Sequence, residues 1–283
     1  MDREVVLFVL AAVLVGAAQP VGSLAAAAVV GKNEGAQSGR AIERHARLRL
    51  LVPLTPALLA LAALAGWALV EPDDAERVPW MAFLVAMPVL FVWLRAAARA
   101  IIALKLRPIA SAATVGLLRP QVLVGHDFHQ QVDQHAFEAA LAHEEAHARH
   151  HDPLRIWLAQ IATDLQWPAP GARARFEDWL FALELARDEE ARTMVDGADL
   201  AAAVIAAARI EPPAPFAFAG IASASTTMRL RVERLLAPMP PDSRNRSAWL
   251  VGVSLALAAL IVALLLGAGF GESLVGQVLG WTR

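Results

Sequence analysis

Four long apolar stretches, separated by charged segments, limit what this chain can fold into more than any other feature. They run from Val5 to Val30, from Leu50 to Val70, from Trp80 to Leu94 and from Trp249 to Phe270. A helix needs roughly 20 apolar residues to cross a bilayer. Hydrophobic residues make up 57% of the 283 residues, which exceeds the share expected of a soluble domain. The sequence therefore predicts an integral membrane protein with four transmembrane helices, the third of them extending to about residue 104.

Charged residues near these stretches predict the orientation, because short loops rich in Lys and Arg remain in the cytoplasm. The loop between the first two spans is basic, as are the flanks after the third span and before the fourth, whereas the loop between the second and third spans is acidic. The basic positions are Lys32, Arg40, Arg44, Arg47, Arg49, Arg95, Arg99, Lys105, Arg107, Arg244 and Arg246. The pattern predicts a multi-pass protein of the inner (cytoplasmic) membrane with both termini outside the cell.

The domain organisation follows from these spans. We expect a membrane region over residues 1–107, with helices at about 5–30, 50–70 and 80–104, and a cytoplasmic domain over 108–247. A fourth helix over 248–270 and a short extracytoplasmic tail over 271–283 complete the chain. A formal net charge of -2 argues against nucleic-acid binding, which needs positive charge. Because the chain has no cysteine, a metal site must use imidazole or carboxylate ligands.

The predicted cytoplasmic domain contains a His-Glu-x-x-His motif, His143-Glu144-Glu145-Ala146-His147, among good helix formers. Residues four apart lie on one face of a helix, so both imidazoles can bind one zinc ion. Glu144 could then act as the general base that takes a proton from the attacking water and returns it to the leaving amine. The spacing predicts a zinc peptidase site.

A second set of carboxylates follows on a helix predicted over residues 176–195. Glu184 and Asp188 share one face of this helix. A catalytic zinc needs a third protein ligand, which Glu184 could supply, while Asp188 could accept a hydrogen bond from the far nitrogen of a ligand imidazole. The alternative is a solvated acidic helix face.

Together these motifs resemble the BlaR and MecR type of membrane peptidase, metallopeptidase family 56. The matching residues are the zinc motif, Asp152-Pro153-Leu154, Glu184-Leu185-Ala186-Arg187-Asp188, the segment 116–124 and the basic segment 229–236. In that family three helices precede the zinc domain and one follows it, as predicted here. The resemblance implies that Glu184 is the third ligand and that Asp188 supports a ligand imidazole.

The resemblance also implies a fold and a function. The fold is mainly helical, with a gluzincin-like zinc peptidase domain, containing a small β-hairpin or sheet, inserted between transmembrane helices. The function is endoproteolysis of a cytoplasmic or membrane-proximal protein by zinc-activated water, and a transcriptional repressor is the substrate that the family suggests. Transducers of this family often carry a penicillin-binding domain after the last helix. Residues 271–283 are too short for such a domain, so we do not expect direct β-lactam sensing.

Several alternatives remain open at this stage. His147 and His151 are a rival ligand pair, although Ala148 leaves that pair without a base. Arg229 and Arg231 are candidates for stabilising the oxyanion, since the chain has no tyrosine. The strand predicted over residues 121–124 could pair with an extended substrate or be only structural. At the level of function, the alternatives are an HtpX or CAAX type of processing peptidase and a catalytically silent membrane scaffold. The oligomeric state is not predicted.

Overall fold

The computed structural model describes residues 8–16, 18, 22, 38–70, 80–104, 111–126, 128–169, 171–210 and 221–240. These residues are mainly helical and include one two-stranded antiparallel sheet, as predicted. The helices are α1 (Gly39–Leu51), α2 (Thr55–Val70), α3 (Trp80–Ala103), α4 (Phe128–Gln131), α5 (Gln134–Arg149), α6 (Asp152–Leu165), α7 (Ala172–Ala191), α8 (Gly197–Ile210) and α9 (Ile221–Leu236). A 3-10 turn, Val52–Leu54, joins α1 to α2. The strands are β1 (Ala112–Val115) and β2 (Gln121–Val124).

Helix α7 packs against other helices on two sides. On one side Trp179, Ala182 and Leu183 of α7 form a core cluster with residues of α1 and α6. On the other, Ala191 of α7 packs with residues of α5, α8 and α9. Helix α5, which carries the His-Glu-x-x-His motif, and the acidic face of α7 lie between these two cores. Packing of the helices therefore brings together the two sets of residues that the sequence singled out.

The segment predicted as a basic loop before the second span is in fact helix α1. Its buried residues, Gly39, Glu43, Ala46 and Leu50, recur at helical spacing. At Gly39 the backbones of α1 and α7 approach so closely that a Cβ atom would lie 2.7 Å from the carbonyl oxygen of Leu185. The loop prediction fails because the basic side chains of α1 lie among apolar residues whose spacing matches a buried helix face. This helix belongs to the packed core around α7.

The four predicted transmembrane helices are not confirmed as a set. Within the described residues, two helical stretches are long and apolar enough to cross a membrane, Gly39–Ala62 and Ala86–Ala103. An N-terminal helical segment, residues 8–16, packs through Val9 and Ala12 against Ala86 of α3. The remainder of the predicted first span is largely undescribed. The fourth span over 248–270 and the tail over 271–283 lie outside the described residues altogether.

Side-chain hydrogen bonds connect α3 to α6. Oδ1 of Asp164 accepts hydrogen bonds from Arg95 at 3.1 Å and from Arg99 at 2.8 Å. The indole N–H of Trp157 donates to the carbonyl oxygen of Ala100 at 3.0 Å. Helix α6 is thus fixed near its middle and at its C-terminal end to a long apolar helix. The opposite end of α6 begins at Asp152, which lies in the site described next.

Candidate metal centre

The two motif histidines lie on one face of α5, as the spacing predicts. The N-terminus of this helix is capped, because the side chain of Asp133 accepts a hydrogen bond from the backbone N–H of Ala136. The residues His143 and His147 are buried, with exposures of 8% and 7%. Their Nε2 atoms lie 3.1 Å apart. The Nε2 atoms of both imidazoles therefore face the same small volume, which is called the metal space below.

Glu184 of α7 completes this space. Its carboxylate oxygens lie 3.4 Å from Nε2 of His143 and 3.6 Å from Nε2 of His147. One ligand atom from each of the three residues falls within 4.8 Å of the others. Zinc–ligand bonds of about 2.0–2.1 Å in a tetrahedral arrangement place ligand atoms about 3.4 Å apart. The two imidazoles and the carboxylate fit a zinc ion with one position left for water.

Asp188, one turn after Glu184, lies behind His143. Its Oδ1 is 3.0 Å from Nδ1 of His143, the nitrogen that faces away from the metal space. Arg231 of α9 holds this carboxylate in a bidentate pair, with Nε and one terminal nitrogen each 2.8 Å from its oxygens. The other terminal nitrogen of Arg231 lies 3.0 Å from Glu184. Asp188 therefore lies beside the far nitrogen of His143, and its supporting role stays a prediction.

Asp152 lies behind His147 in the same way, and sequence reasoning did not assign it a role. Its Oδ2 is 2.9 Å from Nδ1 of His147, and it also accepts a 2.5 Å hydrogen bond from Nε of Arg187. Arg155 donates to Oδ1 of Asp152 at 2.6 Å and contacts Glu43 of α1. Asp152 is completely buried. Its place five residues after His147, and the resemblance of Asp152-Pro153-Leu154 to the family, were the available signals.

These contacts shift the pKa values of buried groups in the site. Burial alone would lower the pKa of His143, but the hydrogen bond and charge of Asp188, together with those of Glu184, raise it to about 10. Burial would raise the pKa of Glu184, yet the charge of Arg231 holds it well below its usual range. The pKa of Asp152 is likewise lowered, against burial, by hydrogen bonds from His147 and Arg187. The carboxylates are therefore ionised and suited to a cation.

The general-base candidate, Glu144, contacts the sheet. The hydroxyl oxygen of Thr114 in β1 lies 2.8 Å from Oε2 of Glu144 and 2.7 Å from its backbone carbonyl oxygen. This contact fixes the direction of a side chain that would otherwise be free to rotate. A threonine thirty residues before the motif gave no signal of this pairing in the sequence.

The structure leaves the rival candidates outside this centre. His151 is exposed and occupies the left-handed conformation between α5 and α6, with φ of 53°. His150 pairs with Glu190 at 2.8 Å, and the guanidinium of Arg229 is 72% exposed. Of the two arginines considered for the oxyanion, Arg231 alone contacts the acidic residues of the site.

Comparison with known families gives one match. The family model described as BlaR1 peptidase M56 matches residues 90–233, about half of the chain. The matched segment runs from α3 into α9 and contains every residue of the candidate centre. Comparisons with curated proteins and with solved structures produced no significant match.

Proposed function

Because the chain belongs to the BlaR1 peptidase M56 family, we propose that it is a membrane-embedded zinc endopeptidase. The observation that carries this proposal is the convergence of His143, His147 and Glu184 on one point, with Glu144 next to the first ligand in the sequence. A purely structural zinc site needs neither an adjacent base nor an open ligand position. When bound, zinc would act as a Lewis acid that activates water and polarises the scissile carbonyl.

The residues of the chain have separate tasks in this reaction. Glu144 takes a proton from the attacking water and passes it to the leaving amine, and Thr114 donates a hydrogen bond to the Glu144 carboxylate. Arg231 supplies the only guanidinium that reaches both Glu184 and Asp188 in the described part of the chain. Its charge favours the oxyanion that develops on the substrate carbonyl.

Among the described residues, no strand pairs with the edge of β1 that faces away from β2, and this edge is suited to hold an extended substrate. The N–H of Gly125 donates to the carbonyl oxygen of Ser111 at 2.6 Å, which makes this a hydrogen-bonded pair. Hydrogen-bonded and non-hydrogen-bonded pairs alternate in an antiparallel ladder. The backbone groups of Ala112 and Thr114 therefore point away from β2. Because Thr114 also contacts Glu144, we assign substrate pairing to β1, whereas the sequence offered β2 either for this role or for a purely structural one.

The proposal also covers the class of substrate and the orientation of the chain in the membrane. The proposed substrate is a cytoplasmic or membrane-proximal protein, and a transcriptional repressor is the class that the family suggests. Residues 108–247 would lie in the cytoplasm of a multi-pass inner-membrane protein. The basic flanks of the predicted spans support this orientation.

The decisive experiment compares Glu144→Gln with the full wild-type chain purified in detergent. Labelled casein is the general probe, and a repressor encoded beside the gene is the specific one. Glutamine retains the shape but not the basicity, so zinc content should stay while cleavage falls by about a hundredfold or more. Glu145→Gln is the matched control, because the neighbouring Glu145 side chain is 60% exposed and pairs only with Arg149 among the described residues. Undiminished cleavage by Glu144→Gln would refute the mechanism, and a wild-type chain that cleaves neither probe yet signals in cells would favour the scaffold.

A further inference from the structure

A basic cluster far from the metal centre lies between α1 and α7. It consists of His45 and Arg49, one turn apart on α1, and Arg175 in the first turn of α7. Nε2 of His45 and the Nε atoms of both arginines are buried and have no hydrogen-bond partner among the described residues. Buried polar atoms are nearly always paired, so three unpaired nitrogens in one place call for an oxygen acceptor.

The cluster carries two guanidinium charges, and among the described residues one carboxylate pairs with them. Burial and the charge of Arg49 both lower the pKa of Arg175, which indicates two guanidinium groups close together. The carboxylate nearest to Arg49 is that of Asp178, at 3.7 Å and 59% exposed. Arg175 is held by the neutral side chain of Gln166, which accepts a hydrogen bond of 2.8 Å. An anion is the acceptor that would satisfy both the charge and the donors.

The start of α7 adds to this preference. Its first turn has no acidic residue, and the N-cap, Gly171, has no side chain to cap the helix. The positive end of the helix is therefore uncompensated where Arg175 lies. Gly171 has φ of 81°, and a Cβ atom there would approach a terminal nitrogen of Arg175 to 3.3 Å, so glycine leaves room beside the guanidinium.

The cluster lies where the apolar helices begin. Gln166, which holds Arg175, also donates to the carbonyl oxygen of Leu50, next to Arg49 and just before the apolar helix α2. The neighbouring Trp167 packs edge-on against Phe91 of α3, with ring centroids 5.8 Å apart. Both rings are largely exposed, as expected of side chains at a membrane interface. On the membrane placement proposed above, the polar first part of the helical stretch Gly39–Ala62, which contains His45 and Arg49, lies at the level of lipid headgroups.

We propose that His45, Arg49 and Arg175 bind the phosphate of an anionic phospholipid headgroup. The shared chemistry is a phosphate oxygen accepting hydrogen bonds from two guanidinium groups and an imidazole. The proposal rests on the membrane placement proposed above and not on the peptidase chemistry. It assigns a lipid site at the junction between the membrane helices and the catalytic unit.

The test uses the full chain, delipidated in detergent and titrated with phosphatidylglycerol under native mass spectrometry. One lipid should bind more tightly than the rest, and phosphatidylcholine should bind there at least tenfold more weakly because it has no net charge. Arg49→Gln and Arg175→Gln should each weaken this site about tenfold, the value of one charged hydrogen bond. Arg47→Gln is the matched control, since Arg47 is exposed on the same helix and the charge change is equal.

Three results would overturn the proposal. Equal weakening by Arg47→Gln would mean that lipid is attracted only by the general surface charge. Displacement of phosphatidylglycerol by millimolar inorganic phosphate, with equal stabilisation of the chain, would mean a site for the free anion. Unchanged binding in both Arg49→Lys and Arg49→Gln, with the chain folded by thermal melting, would remove Arg49 from the site. Zinc content and casein cleavage, measured on the same samples, report separately on the proposed peptidase function.

Discussion

Nδ1 of His147 lies 2.9 Å from the carboxylate of Asp152, a residue that begins the next helix. The carboxylate of Asp188 lies 3.0 Å from Nδ1 of His143, an ion-pair distance. Each aspartate is in turn held by an arginine, Asp152 by Arg187 and Asp188 by Arg231. Two arginine–aspartate–histidine chains therefore converge on the metal space from opposite sides. They keep both imidazoles in the tautomer that presents Nε2 to a metal.

The first prediction concerns these aspartates. Asp152→Asn and Asp188→Asn should each weaken zinc binding about 10- to 100-fold, because the amide no longer fixes or polarises the imidazole. Competition with a chromogenic chelator measures this affinity. Asp178→Asn, at an exposed position on α7, should leave it unchanged. An affinity within twofold of wild type in both variants would show that the two chains do not act on the metal.

The second prediction concerns protons released on zinc binding. Without metal, His143 has a pKa of about 10, above its unfolded value of about 6.5, so it is protonated at neutral pH. This pairing contributes stability fully below about pH 6.5, and the contribution is lost as pH rises through about 10. Zinc must displace the proton, so affinity should increase with pH between 6 and 8, by up to tenfold per unit.

Calorimetry in buffers of different ionisation enthalpy measures this release directly. We expect about one proton to be released per zinc at pH 7. Release should fall in Asp188→Asn, because that variant loses the carboxylate that raises the pKa of His143. Binding without proton release in the wild-type chain would contradict the charge state described for the site.

The third prediction concerns Arg231. Arg231→Gln should lower kcat by about 100-fold or more through loss of oxyanion stabilisation, with a smaller change in KM. Arg231→Lys should recover part of kcat, since it restores the charge but not the bidentate pair with Asp188. Arg229→Gln, at a position whose side chain is 72% exposed, is the control and should behave as wild type. If Arg231→Gln lost zinc while kcat per zinc stayed constant, Arg231 would be only a positioning residue.

The sequence predicted those parts of the site that depend on local spacing. His143 and His147 follow from helical periodicity, and Glu144 follows from the motif. Glu184 was a candidate by spacing, and its pairing with the motif across 37 to 41 residues of sequence came from the resemblance. The predicted strand over residues 121–124 coincides with β2.

Other features depend on how helices pack and had no local signal. Thr114 reaches Glu144 only because the hairpin packs on α5, and Arg187 reaches Asp152 only because α6 and α7 adjoin. Helix α1 was missed for a different reason. Its basic residues match the rule for cytoplasmic loops, while the buried spacing of Glu43, Ala46 and Leu50 carried the correct signal.

The fourth prediction concerns topology. Paired reporters that are active on only one side of the membrane, fused after Asp73 and after Ser247, should report opposite compartments. The acidic loop at Asp73 should be outside and the segment ending at Ser247 inside, because the basic flanks stay in the cytoplasm. The same compartment at both positions would contradict the proposed orientation, whatever the chemistry of the site.

The central claim is that the α5 motif and the α7 carboxylate form one metal centre, and zinc stoichiometry in Glu184→Ala tests it most directly. The full chain should bind about one zinc, and Glu184→Ala should lose it at concentrations where wild type is saturated, because two imidazoles alone bind zinc weakly. Glu177→Ala, which removes a partly exposed carboxylate paired with Arg173 on the same helix, should retain the metal. If Glu184→Ala instead bound one zinc with wild-type affinity, the metal centre described here would be wrong.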